Sequence, residues 1–138
     1  MQGERLMSTN FYLHAPACSH CGHAEEPLHL GKSSAGWCFA LHVHHDKLLF
    51  DWQDIWSHID ALVEEGNHEI RNEYGETVDP AMFFTIVWDR SRQEPHSLQW
   101  LRDNHAVPGP YGLARHKLDD RCIGHGDGPF DYIVGSFS

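Results

Sequence analysis

Cys18 and Cys21 stand three positions apart in the run Cys18-Ser-His-Cys21-Gly22, and no other feature limits so strongly what this chain can fold into. Two thiolates at that spacing on a tight turn can occupy adjacent corners of a zinc tetrahedron, and the glycine lets the backbone fold back. A redox CxxC is expected inside a βαβ pattern, which this sequence lacks. Four cysteines in a reducing compartment read as metal ligands or buried thiols. The expected cofactor is Zn2+, held by Cys18 and Cys21.

Zinc needs two further ligands. Phe11 to Ala17 reads as a strand, and Leu28 to Leu30 as a second strand entering the turn-rich segment 31–36. Trp37 to His44 alternates, with Trp37, Phe39, Leu41 and Val43 on the core face and Cys38, Ala40, His42 and His44 on the other. If these strands pair across a turn centred near Ser33, His42 and His44 return to the Cys18–Cys21 knuckle, and both are expected to ligate. Cys38 falls further down the ladder. Cys38, Cys122 and His125 remain alternative ligands. Cys122-Ile-Gly-His125 forms a second knuckle only if the strand bends at Gly124, because positions three apart on a regular strand face opposite ways.

Asp51 is placed to cap a helix in which Trp52, Ile55, Trp56, Ile59, Leu62 and Val63 recur at helical spacing, ending at Gly66. A hairpin is expected over Ile70 to Val78, turning near Glu73 to Gly75, and Asp79-Pro80 opens a second helix to about Trp88. Residues 91–112 read as irregular, with a helical turn at Leu98 to Asp103. Leu113 to Leu118 and Arg121 to His125 are expected to form a hairpin turning at Asp119-Asp120, followed by a last strand from Phe130 to Phe137. The fold class is α+β: an antiparallel sheet with a zinc-ribbon-like N-terminal hairpin and two helices. Residues 1–10 read as a flexible tail and 11–138 as a single zinc-stabilised domain, for which 41% hydrophobic residues supply one core.

Twenty acidic against 10 basic residues give a formal charge of −10, which disfavours nucleic acid and anionic membranes as partners. No stretch is apolar enough for a membrane span, and the start lacks the apolar region of a signal peptide, so the expected location is the cytoplasm. Most of the thirteen histidines have ordinary surface or half-buried readings. His116, His125 and Asp131 are the catalytic candidates, since two histidines facing each other on a hairpin can bracket a phosphate or a metal-activated water. Gly31-Lys32-Ser33-Ser34 matches the end of a phosphate-binding loop, but Glu26 stands where its first glycine belongs, so a hairpin turn is the better reading.

Three segments carry a resemblance: Cys18 to Gly22, Leu28 to Trp37 (LHLGKSSAGW) and Arg115 to Gly126 (RHKLDDRCIGHG) with the chain end. Together they resemble small uncharacterised proteins of tailed bacteriophages and prophages, over most of residues 11–138. The resemblance implies a phage accessory protein in the host cell cytoplasm, acting as a zinc-stabilised binding module on a host or phage protein, including a host defence protein. The rival expectation is a metal- or histidine-dependent hydrolase acting on a phosphate-containing substrate.

Overall fold

The computed structural model describes residues 8–18, 20–22, 26–34, 36–88, 97–109, 112–115, 121–125, 130–135 and 137. Nine strands are described: β1 (Ser8–His14), β2 (Leu28–Ser34), β3 (Phe39–Val43), β4 (Glu69–Asn72), β5 (Thr77–Val78), β6 (Ala106–Gly109), β7 (Gly112–Arg115), β8 (Cys122–His125) and β9 (Phe130–Val134). Three α-helices accompany them: α1 (Trp52–Glu65), α2 (Pro80–Trp88) and α3 (Leu98–Asp103). Seven strands form one sheet in the order β5-β4-β1-β2-β3-β9-β8, and β6 pairs with β7 as a separate ribbon. All pairings in the large sheet are antiparallel except β3 with β9. The α+β class is thus met, with one helix more than expected.

Local signals place the helices. The Asp51 carboxylate accepts from Asp54 N and caps α1, which ends at Gly66, whose N–H donates to Leu62 O. Ile55 and Ile59 from α1 and Phe83 and Val87 from α2 pack with Phe11, Leu30, Phe39, Leu41, Ile70 and Phe130 to make the core on one face of the sheet. At roughly 1.5–3 kcal/mol for each fully buried large aliphatic or aromatic side chain, this layer is the principal stabilising element.

The opposite face carries the polar chemistry, for a reason that lies in β2. Segment 31–34, expected to be turn, is strand: Gly31 pairs with Leu41 and Lys32 with Ala40. The β2–β3 turn is therefore centred near residue 36, not Ser33. Opposite it, the β1 register shifts between Phe11 and Tyr12, so that Phe11 faces Gly31 but Tyr12 faces His29. This bulge puts Leu30 into the core while His29 and Lys32 share the other face. Ser8 to Asn10, placed by expectation in a tail over 1–10, are strand and pair with Ser34 to Lys32, and residues 1–7 lie outside the described residues.

The C-terminal hairpin differs from expectation as well. β7 pairs with β6, while β8 pairs with β9, so Arg115 and His125 lie on strands that are not ladder partners. The ribbon is tied to the sheet through Cys38 N to Leu113 O (2.9 Å) and Leu113 N to Gly36 O (2.8 Å), and it lies over Cys38, which is 7% exposed. Ala40, the next residue on that face, is 2% exposed, while His42 beyond it is half-buried.

Candidate metal centre

β8 contains a register shift: Cys122 pairs with Ile133, but Gly124 pairs with Tyr132 and His125 with Asp131. One extra residue on β8 rotates the strand, and Gly124, at φ 158°, accepts the backbone geometry that results. This is the bend that a Cys122–His125 pair requires. Both side chains now lie on the face of Asp131, and the donor atoms of Cys122, His125 and Asp131 all fall within 4.8 Å of one another. Among the described residues this is the single group of three or more such side chains close enough to hold a metal ion.

Asp131 anchors the group. It is fully buried, and both carboxylate oxygens are engaged. Oδ1 accepts from His125 Nδ1 at 2.5 Å, which fixes the imidazole tautomer; Oδ2 accepts from Arg115 N at 2.8 Å and Arg115 Nη1 at 3.1 Å. Arg115 Nη1 also donates to Cys38 O at 2.7 Å, and its guanidinium lies 5.0 Å from the centre of the Trp37 ring. The guanidinium fixes the carboxylate, which in turn orients the histidine, whose side chain is 48% exposed. Cys122 is half-buried. Burial, and then the Asp131 carboxylate, hold its thiol above the ordinary pKa.

Sulfur, imidazole nitrogen and carboxylate oxygen are all zinc donors. With metal–donor bonds near 2.0–2.3 Å, tetrahedral ligands stand roughly 3.3–3.8 Å apart. Cys122 as its thiolate, His125 and the Asp131 carboxylate would hold the ion, which would supply Lewis-acid chemistry at this face. The donor set and its spacing, within 4.8 Å, fit such an ion.

No protein family, curated protein or solved structure matches the chain.

The expected ligands are distributed differently. Cys18 and Cys21 do form a knuckle: Gly22 N donates to Cys18 O at 2.8 Å, and backbone hydrogen bonds from Cys21 and His20, then one from the Cys21 side chain, hold the Cys18 thiol below its ordinary pKa. Both cysteines are exposed. Among the described residues, no third ligand joins them in a metal-sized group. His42 and His44 stack on each other at 3.9 Å and turn to His29 instead. The shifted β2–β3 register is the reason. Cys38 is enclosed beneath β7, with its thiol 3.9 Å from Gly112 O. His116, together with the Asp119-Asp120 turn, lies outside the described residues. Of the catalytic candidates, His125 and Asp131 are brought together.

The imidazole cluster has its own electrostatics. Asn10 Nδ2 donates to Glu73 Oε1, so Asn10 Oδ1 accepts from His29 Nε2 at 2.8 Å; His29 Nδ1 then accepts from His42 Nδ1 at 2.8 Å. His44 Nε2 donates to His29 O. Burial, and next the neighbouring His44, lower His29 to about 4 and His42 to about 3. Both imidazoles are neutral near pH 7. Below about pH 6.5 the unfolded chain takes up protons that the folded chain refuses, so stability falls as pH drops from there toward 4 and 3. Urea midpoints at pH 7 and pH 5 should show that loss, and His42→Phe should flatten it. An unchanged slope in the variant would assign the acid sensitivity elsewhere.

Proposed function

We propose that this protein is a zinc-dependent hydrolase of phosphate-containing substrates, with Cys122, His125 and Asp131 as the metal ligands. The observation that carries the reading is the β8 bulge, which turns Cys122 and His125 onto the face of a buried, Arg115-anchored carboxylate. Structural zinc sites close with four protein ligands, whereas catalytic ones keep a position open for substrate or water. Among the described residues the donors number three, one of them on a half-exposed histidine, an arrangement that suits the open kind. Zinc held there supplies Lewis-acid chemistry. Arg115 positions Asp131, and Lys32, two strands away in the register Lys32–Ala40–Asp131, adds positive charge to the same face.

Turnover of p-nitrophenyl phosphate and bis(p-nitrophenyl) phosphate by zinc-loaded protein tests the reading. The expected result is activity that His125→Ala lowers about 100-fold or more, in line with the loss of a metal ligand. A zinc-loaded wild type that turns over neither ester would dismiss the hydrolase while leaving the metal centre in place.

A second reading, the protein-binding module of a phage accessory protein, draws support from a different surface. Trp52, Trp56, Phe84 and Trp88 form a cluster of stacked and edge-on ring contacts between α1 and α2 at ring separations of 5.3–6.2 Å, with Phe84 40% and Met82 56% exposed. Aromatic and Met side chains on a surface are typical of contact patches. Under this reading Phe84→Glu and Met82→Glu would release a host or phage protein that the wild type captures. No helix among the described residues is long and apolar enough to cross a membrane.

A further inference from the structure

A cavity of about 720 Å³ opens where the ends of β1 and β2 meet α1, and none of its walls belongs to the Cys122 centre. Leu13, Leu28 and Leu62 form an apolar floor, while His44, His58, His68 and Lys47 rise around it. Volumes of roughly 300–1,000 Å³ with an apolar lining and a few converging polar groups are those of small-molecule sites. From these residues we infer that the cavity binds a small organic oxyanion of the phosphate-monoester class, its apolar body on the leucines and its anionic head among Lys47, His58 and His68.

Charge argues for an anion. The chain carries twice as many acidic as basic residues, yet Glu26 is the single carboxylate among the described residues that line this cavity. His58 is held below its ordinary pKa by burial first, and then by His68, Lys47 and His44, all of them neighbours that are cationic when protonated. An oxyanion seated among these groups provides the negative charge missing there, and imidazole N–H and ammonium groups are suitable donors to it. Orientation follows from existing bonds. His68 Nδ1 donates to Gly66 O at 3.1 Å and His44 Nε2 to His29 O at 2.8 Å, so the second nitrogen of each ring becomes a donor to the oxyanion in the imidazolium form, the charge that the anion itself favours. The leucine floor distinguishes this site from one for a bare inorganic ion, since an apolar body buried there adds roughly 25 cal/mol per Å².

Phenyl phosphate, inorganic phosphate and benzyl alcohol are the probes, followed by amide chemical shifts and calorimetry on the full chain. Phenyl phosphate should bind saturably and more tightly than inorganic phosphate, shift Leu13, His58, Leu62 and His68, and leave benzyl alcohol without effect. Lys47→Ala and His58→Ala, at exposed and half-buried positions, should each weaken it about tenfold. The shifts at Leu13, His58, Leu62 and His68 should persist in His125→Ala, which separates this site from phosphate-ester binding at the metal centre. Equal affinity in all variants, shifts confined to residues 121–125, benzyl alcohol binding as tightly, or no saturation at millimolar probe would each overturn the assignment.

Discussion

Gly31→Ala is expected to destabilise the protein by about 3 kcal/mol or more, enough to leave much of it insoluble. A β-carbon at that position would stand 2.3 Å from Ala40 O and 2.4 Å from Phe39 Cε1. Neither obstacle can move cheaply. Ala40 O belongs to the backbone of a strand at the middle of the sheet, and Phe39 is fully buried against Phe11 and Phe83. The backbone at Gly31 also has φ 154°, which side chains other than hydrogen rarely allow. Gly75→Ala provides the control. Its φ of 85° is also strained, yet a β-carbon there meets nothing within 4 Å, so the cost should stay near 1 kcal/mol. Urea midpoints measure both. Equal costs at the two positions would mean that β2 and β3 do not approach as described.

The second large effect belongs to Asp131. Its carboxylate is fully buried and receives Arg115 N, Arg115 Nη1 and His125 Nδ1. Asp131→Ala would leave the Arg115 guanidinium, whose side chain is 13% exposed, with an uncompensated charge. Breaking a buried pair from one side costs about 3–5 kcal/mol, against a total stability of about 5–15 kcal/mol for a typical domain. His125→Ala should cost no more than about 1 kcal/mol, because that side chain is half in solvent. Both substitutions should abolish zinc binding. The pair of variants therefore separates the carboxylate's role in folding from its role toward the metal. If Asp131→Ala melts with the wild type, the carboxylate is not the anchor of this face.

Much of the fold is legible in local sequence. Asp51 and Gly66 bracket α1, Pro80 opens α2, Leu98 to Asp103 form α3, and the turn at Glu73 to Gly75 separates β4 from β5. Each rests on signals within a few residues of the element itself. What the sequence conceals is non-local. Gly31 to Ser34 has the composition of a turn, but tertiary pairing with β1 and β3 overrides it. The parallel pairing of β3 with β9 joins residues about ninety positions apart, and no periodicity announces it. At the metal centre, strict alternation sets Cys122 and His125 on opposite faces, whereas the bulge reunites them. The legible clue was Gly124, since an isolated glycine within a strand pattern marks a bulge. The burial of Asp131 and its bond to Arg115 could not be read, because Arg115 comes from a ribbon that pairs elsewhere.

Cobalt substitution decides most directly where the metal resides. Cobalt(II) takes zinc's tetrahedral sites, and a bound thiolate gives a sulfur-to-metal charge-transfer band that reports which cysteine is a ligand. The band should appear on titration, strengthen as pH rises and the raised Cys122 thiol gives up its proton, vanish in Cys122→Ser, and persist in Cys18→Ser and Cys21→Ser. A band that survives Cys122→Ser but is lost when Cys18 or Cys21 is replaced would place the metal on the N-terminal knuckle and contradict the assignment to Cys122, His125 and Asp131.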